Sequence, residues 1–142
     1  MHAEKPAVIN VALEKAKPED LPIAIRIFKH YGGYYEDVNC GNTFVARSES
    51  LGVVGAVKVK DTPSKGVVFL ATMGVEPHLQ KRGIGNQLLE QVIEELRKEG
   101  IHKAIVNFRA SDAENLGKFF EKRGFVYFYQ ANKERCGMKR DL

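Results

Sequence analysis

A short basic turn with two glycines carries the clearest chemical signal in the sequence. It comprises Gln80, Lys81, Arg82, Gly83, Ile84, Gly85 and Asn86. The first N–H groups of a helix have no partner within it, and the helix dipole adds partial positive charge there. Glycines at 83 and 85 let an anion approach this backbone, and Lys81 and Arg82 stay charged at neutral pH. The turn therefore predicts a diphosphate site, although a plain structural turn also fits this spacing.

The elements on either side of the turn would hold it in place. The nearly continuous apolar run at 67–75 predicts a strand covered on both faces, and Pro77 marks its exit. After the turn, apolar residues recur at helical spacing and predict one buried helix face. They are Ile84, Leu88, Leu89, Val92, Ile93 and Leu96. The glycine spacing matches neither a P-loop nor a Rossmann turn.

The rest of the chain predicts an α+β fold. Strands are expected at 7–13, 43–47, 51–60, 101–108, 125–130 and 135–140. The crossover through the long helix makes strands 67–75 and 101–108 parallel. Asp20 is expected to cap a first helix, and Ser111 with Glu114 has capping-box spacing for a later one. Lys58 and Lys60 are expected to point to solvent.

Two motifs together resemble the GNAT superfamily of acyl-CoA-dependent N-acyltransferases. Q-x-x-G-x-G at 80–85 follows a strand ending in V-x-P, and residues 115–125, NLGKFFEKRGF, resemble the second motif of that family. The resemblance covers nearly the whole chain. It implies a single domain over residues 1–142 with a mixed, mostly antiparallel central sheet. Helices would cover both faces of that sheet, and its parallel strand pair would be splayed.

The resemblance also implies where acetyl-CoA would bind. Its diphosphate would lie on the turn at 80–86, and its pantetheine arm would follow the backbone of Met73, Gly74 and Val75. Asn115 and Phe120 of the second motif would contribute as well. A purely structural alternative for Gly74 is that it only relieves crowding inside its strand.

The groups that would catalyse transfer are less clear in the sequence. Relatives carry a tyrosine as proton donor where this chain has Phe120, so Tyr127 and Tyr129 are the candidate replacements, expected on one strand face. Glu76, at the strand exit, is expected to be exposed to solvent. Tyr31, Tyr34 and Tyr35 either form an acceptor-binding wall or half-bury at the edge of the core.

Composition limits the function classes. The chain has 142 residues, a net charge of +4 and no run long enough to span a bilayer. Cys40 and Cys136 lack metal-ligand spacing, so free thiols, no metal and a cytoplasmic location are expected. The protein is expected to act as a monomer or homodimer.

These features together predict an N-acetyltransferase that moves the acetyl group of acetyl-CoA directly to a primary amine. The amine could belong to a small molecule, a peptide or a protein. A non-catalytic acyl-CoA-binding or regulatory module is the first alternative. A basic nucleic-acid-binding domain is the second, although the basic residues are interleaved with acidic ones.

Overall fold

A computed structural model describes residues 7–132 and 134–142, with the side chains of all of them except 129–132. The strands are β1 (Ala12–Lys15), β2 (Thr43–Ser48), β3 (Gly52–Asp61), β4 (Val67–Val75), β5 (Lys103–Arg109), β6 (Val126–Asn132) and β7 (Arg135–Asp141). The helices are α1 (Leu21–His30), α2 (Ile84–Lys98) and α3 (Lys118–Glu121). Strand hydrogen bonding follows the order β1-β2-β3-β4-β5-β7-β6. This mixed α+β architecture confirms the predicted fold class.

One parallel pair interrupts the antiparallel sheet. It joins β4 and β5 through Val67, Val68 and Phe69 of β4, opposite Lys103, Ala104 and Ile105 of β5. Short helical turns flank several elements, at Pro18–Asp20, Pro77–Leu79 and Ala110–Asp112, with a π-helical turn at Ala113–Gly117. The chain forms two compact units, one of residues up to 59 with 72–95, and one of residues 60–71 with 96–142.

In the first unit, helices cover both faces of the sheet. On one face α1 packs Ala24, Ile27 and Phe28 against residues of β2 and β3, including Ala56. Successive strand residues point to opposite faces, so Gly55, next to Ala56, faces the other way and meets Leu88 of α2. The apolar stripe predicted for α2 is buried along its whole length.

The N-terminal segment is held by two glutamines of α2, and this shortens the first strand. Gln87 accepts from the N–H of Val11 (3.0 Å) and donates to the carbonyl of Ile9 (2.7 Å). Gln91, one helical turn later, accepts from Leu13 (2.8 Å) and donates to Val11 (2.9 Å). The predicted strand at 7–13 is therefore wrong in its bounds: β1 begins at Ala12, because its preceding backbone is satisfied by side chains.

Two further predictions fail, one in β3 and one in β4. Lys58 was expected in solvent but is buried, because its ammonium group meets the Asp37 carboxylate at 2.7 Å and the Tyr34 carbonyl at 2.6 Å. Leu51 is exposed, since the chain turns there before Gly52, which has a φ of 74°. In β4, Val68 and Leu70 are buried whereas Ala71 is exposed, so that strand is only partly covered.

The second unit contains the parallel pair and the β6–β7 hairpin. The capping box predicted from Ser111 and Glu114 does not form, because Ser111 lies inside the 3-10 turn and Asp112 stands before the π-helical turn. That turn changes the helical periodicity. As a result Leu116 is exposed, and Gly117 is buried instead.

Asp20 connects the start of α1 with the sheet. Its buried carboxylate accepts from the N–H of Lys17 (3.0 Å) and from Arg47 (2.8 Å), which also binds Glu14. Asp20 occupies the predicted N-cap position but makes no side-chain bond to α1 itself. Burial raises the pKa of Asp20, but the hydrogen bonds from Lys17 and Arg47 outweigh it and hold the pKa below its ordinary value.

We expect Asp20→Asn to destabilise the protein by about 1–3 kcal/mol at pH 7, because Arg47 loses a buried partner. A carboxyl whose pKa is lower in the folded state than in the unfolded state stabilises the folded protein at pH values above the unfolded-state pKa. This contribution is lost as the pH falls through the folded-state pKa. Urea unfolding at pH 7 and at pH 2.5 should therefore show the gap between wild type and variant closing at low pH. Glu19→Gln, at the exposed neighbouring position, is the control. An equal gap at both pH values would contradict this assignment.

Candidate functional site

The turn between β4 and α2 has a strained backbone. After the 3-10 turn at Pro77–Leu79, Leu79 is buried and anchors the loop, while Gln80 and Lys81 are exposed. Lys81 has a φ of 64° and Gly83 a φ of 81°. Glycine adopts the left-handed region at little cost, but lysine does not, so the surrounding contacts must hold Lys81 in place. Strain of this kind concentrates at ligand-binding turns.

The turn delivers backbone donors and positive charge to one place. The first hydrogen bond within α2 runs from the N–H of Gln87 to the carbonyl of Gly83 (3.2 Å). The N–H groups of Ile84 and Gly85 therefore precede the helical ladder, at the positive end of a fifteen-residue helix. The Arg82 side chain donates from Nε to the Ala7 carbonyl (2.9 Å), which leaves Lys81 as the more exposed cation of the turn.

The edge of β4 next to this turn presents backbone polar groups outward. The N–H of Glu76 donates to the Val54 carbonyl of β3 (2.8 Å). Strand residues alternate in the direction of their N–H and C=O groups, so those of Val75 point away from β3. The Tyr31 hydroxyl donates to the Val75 carbonyl (2.6 Å) and accepts a short hydrogen bond from the Gln80 side-chain amide.

Gly74 permits this arrangement. A Cβ atom at this position would lie 2.7 Å from the Tyr31 ring and 2.8 Å from Ile27, so only glycine lets α1 approach the strand this closely. The close approach supports the crowding interpretation of Gly74. It does not test the predicted role of Met73, Gly74 and Val75 in binding a ligand.

Glu76 is buried, so its predicted exposure is wrong. Its carboxylate pairs with Arg26 of α1, and its second oxygen lies 3.7 Å from His78 Nδ1. No sequence pattern indicates that Glu76 is buried, because its partner Arg26 lies fifty residues earlier in the chain. The pair connects α1 to the exit of β4.

The tyrosines after α1 have three different environments. Tyr31 and Tyr34 are exposed, at 40% and 57%. The Tyr34 hydroxyl donates to Glu36 (3.2 Å), and Lys58 holds its carbonyl. Tyr35 is half-buried against the core, with the Lys29 ammonium 4.5 Å from its ring centroid. The structure thus leaves Tyr31 and Tyr34 accessible, and Lys58 is an organiser of this loop that sequence reasoning missed.

The second motif lies in the second unit. Asn115 is exposed within the π-helical turn, whereas Phe120 is buried. The Phe120 ring centroid lies 5.2 Å from that of Phe125 and 6.1 Å from that of Phe108, so Phe120 packs inside an aromatic cluster. Phe120 is therefore apolar and enclosed, and it has no group that could donate a proton.

Tyr127 is described and half-exposed, while the side chain of Tyr129 lies outside the described part of the chain. The Tyr127 hydroxyl rests on Gly117, where a Cβ atom would lie within 2.1 Å of it. Burial against this turn raises the pKa of Tyr127, and the nearby Glu121 and Cys136 add to the effect. Its phenol therefore stays protonated at neutral pH. A register shift interrupts the ladder between Tyr127 and Tyr129. The prediction that their side chains share one face lies outside the described side chains.

Other sites expected or excluded from the sequence can be checked in the described residues. Cys40 and Cys136 are free thiols. Within the described side chains, no group of three histidine, cysteine or acidic residues could hold a metal ion. None of the described helices has the length and apolarity that crossing a membrane requires.

Comparison with known families identifies the chain. The model of the acetyltransferase (GNAT) family matches residues 8–125. This chain belongs to the GNAT family. The match includes the turn at 80–86 and the whole second motif at 115–125, and it confirms the resemblance seen in the sequence. No curated protein sequence matches the chain.

Several solved structures share the fold of this chain at low sequence identity. The ribosomal-protein-S18-alanine N-acetyltransferase of Escherichia coli is 20% identical, covers 94% of each chain and has a TM-score of 0.71. Ard1 of Thermoplasma volcanium is 16% identical over 93% of this chain and 97% of its own, with a TM-score of 0.73. The PaiA N-acetyltransferase of Thermoplasma acidophilum, solved with coenzyme A, is 15% identical over 94% of this chain and 100% of its own, with a TM-score of 0.72. At these identities the likeness establishes the fold.

The strain at Lys81 can be measured directly. We expect Lys81→Gly to be more stable than Lys81→Ala by about 1 kcal/mol, because only glycine relieves the left-handed backbone while both variants lose the same charge. The same pair at Lys98, an exposed position in α2, should show the opposite order. Urea unfolding of the four variants gives their free energies of unfolding. If the Ala variant at position 81 is as stable as the Gly variant, the backbone at Lys81 is not strained.

Proposed function

We propose that the protein transfers the acetyl group of acetyl-CoA directly to a primary amine. The observation that carries the proposal is the turn at 80–86. Its left-handed Lys81 and Gly83 precede the first N–H groups of α2, and its Gln80 amide is connected through the Tyr31 hydroxyl to the Val75 carbonyl of β4. Such a turn suits a diphosphate, and the strand edge suits an amide-containing arm. The coenzyme A bound to PaiA, a protein of the same fold, supports this choice of ligand.

In this proposal the first unit binds the acyl donor. The diphosphate lies on the turn of residues 80–86, with Lys81 supplying charge and Ile84 and Gly85 supplying N–H groups. The pantetheine arm follows Met73, Gly74 and Val75, where the outward C=O of Val75 offers it a hydrogen-bond acceptor. From the second unit, Asn115 and Phe120 of the second motif remain predictions for the same ligand.

The reaction needs a neutral amine, a stabilised oxyanion and a proton for the departing thiolate. The amine nitrogen forms a bond to the thioester carbonyl carbon, the C–S bond breaks, and the amine loses one proton while the thiolate gains one. The N–H of Val75 is our candidate donor to the oxyanion. Phe120 cannot provide a proton, so Tyr127, whose phenol stays protonated at neutral pH, is our candidate acid, together with Tyr129.

The acceptor amine belongs to a small molecule or to a peptide or protein. An α-amine with a pKa near 7.7–8.0 is neutral in about one molecule in ten at pH 7, whereas a lysine amine near 10.4 is neutral in roughly one in two thousand. A lysine acceptor would therefore depend more heavily on a base or on desolvation. The exposed Tyr31 and Tyr34, with Glu36 beside Tyr34, are our candidates for the surface that receives the amine.

The aromatic packing of Phe120 supports one alternative, a non-catalytic acyl-CoA-binding module. Both functions require the same turn, so binding alone does not separate them. Release of free thiol from acetyl-CoA in the presence of a panel of amines does. Amine-dependent thiol release establishes transfer, while tight binding with no release for any amine favours the module.

Gly85→Glu provides the matching binding test. An acidic residue in the first turn of α2 is favourable for the helix dipole, so the melting temperature should not fall. The same carboxylate would face the diphosphate, and we expect coenzyme A affinity to drop at least about a hundredfold. Gly85→Gln adds similar bulk without the charge, so we expect it to lose much less affinity for coenzyme A. Unchanged affinity in the Glu variant, measured by calorimetry, would remove the turn from the site.

A further inference from the structure

A chain of two hydrogen bonds connects the anion turn, the edge of β4 and the end of α1. The Gln80 amide donates to the Tyr31 hydroxyl, and that hydroxyl donates to the Val75 carbonyl at 2.6 Å. Each of the three groups comes from a different element, and the Tyr31 hydroxyl bonds to both of the others. Removing this hydroxyl would therefore break the hydrogen-bonded connection between the turn and the strand edge.

The hydroxyl lies on the outward side of the strand. The peptide between Val75 and Glu76 is held at its N–H by the Val54 carbonyl of β3, which fixes the direction of the Val75 carbonyl away from that strand. The Tyr31 ring covers the face of β4 at Gly74, and from there its hydroxyl reaches the Val75 carbonyl. Any ligand that pairs with the edge as an added strand would need the same carbonyl.

We propose that Tyr31 is a gate on the acyl-donor site. In the free protein its hydroxyl occupies the Val75 carbonyl and holds Gln80, and it leaves the carbonyl when the amide of a pantetheine arm takes that acceptor. This inference rests on the proposed function, because the competing ligand is coenzyme A. Tyr31 is exposed on one side, which gives its ring room to turn outward.

The gate predicts that removing a native contact improves binding. A neutral hydrogen bond lost from the free state alone raises ligand affinity by roughly two- to tenfold. A residue that merely positioned the turn would give the opposite sign, since its removal would loosen the site and weaken binding. The direction of the change therefore distinguishes the two roles.

The test is the dissociation constant of coenzyme A, measured by calorimetry on the wild type, Tyr31→Phe and Ser50→Ala. Tyr31→Phe keeps the ring on Gly74 and removes only the hydroxyl, and we expect it to bind about two- to tenfold more tightly than the wild type. Ser50→Ala removes an exposed hydroxyl that lies beside Ser48, outside the candidate site, and its affinity should equal that of the wild type. Tyr31→Leu, a second removal of the hydroxyl, should change affinity in the same direction and serves if the Phe variant folds poorly.

The outcomes separate the gate from the proposed function. If the wild type binds coenzyme A and the Tyr31 variants bind equally or more weakly, the gate is wrong while the proposed function stands. If neither wild type nor variants bind, the proposed function fails and the gate fails with it. If the Ser50 variant gains as much as the Tyr31 variants, the gain is not specific to the Val75 carbonyl and the gate is also wrong.

Discussion

The close approach of α1 to β4 at Gly74 is the contact on which the arrangement of the candidate site depends. Because this residue has no Cβ, Ile27 and the Tyr31 ring lie directly on the strand. That contact brings the tyrosine hydroxyl to the Val75 carbonyl, and the Arg26–Glu76 ion pair joins the same helix to the strand exit one residue later. The contacts made by α1 thus orient the strand edge and the turn as much as the hydrogen bonds within those two elements do.

On the other face of the sheet, the packing of α2 and of the loop before it supports the turn. The buried stripe of α2 fixes the helix against the sheet, and the buried Leu79 fixes the loop that leads into it. Gln87 and Gln91 then hold the N-terminal segment along the same helix, and Arg82 holds its first described residues. With these elements held in place, the left-handed strain at Lys81 can persist, and the N–H groups at the helix start stay aimed outward.

Sequence reasoning succeeded where local patterns decide the structure. Helical periodicity placed α2 and its buried stripe, and the two motifs together pointed to the family. Sequence reasoning failed where a side chain depends on a distant partner. Lys58 is buried because Asp37 lies across from it, and Glu76 because Arg26 does, and neither pairing leaves a periodic trace in the sequence. For the same reason the sequence left Tyr31 open between an acceptor-binding wall and half-burial, and it did not predict the hydrogen bond from Tyr31 to the strand edge.

The most direct test of the central claim is thermal unfolding of the protein with acetyl-CoA, with free coenzyme A and with ATP. A ligand at about a hundred times its dissociation constant stabilises the fold by roughly 2.7 kcal/mol, which raises the melting temperature by several degrees. The account predicts such a shift with acetyl-CoA and coenzyme A and little with ATP, which has phosphates and adenine but no pantetheine arm. No shift with either coenzyme, or an equal shift with ATP, would contradict an acyl-CoA site on this turn and strand edge.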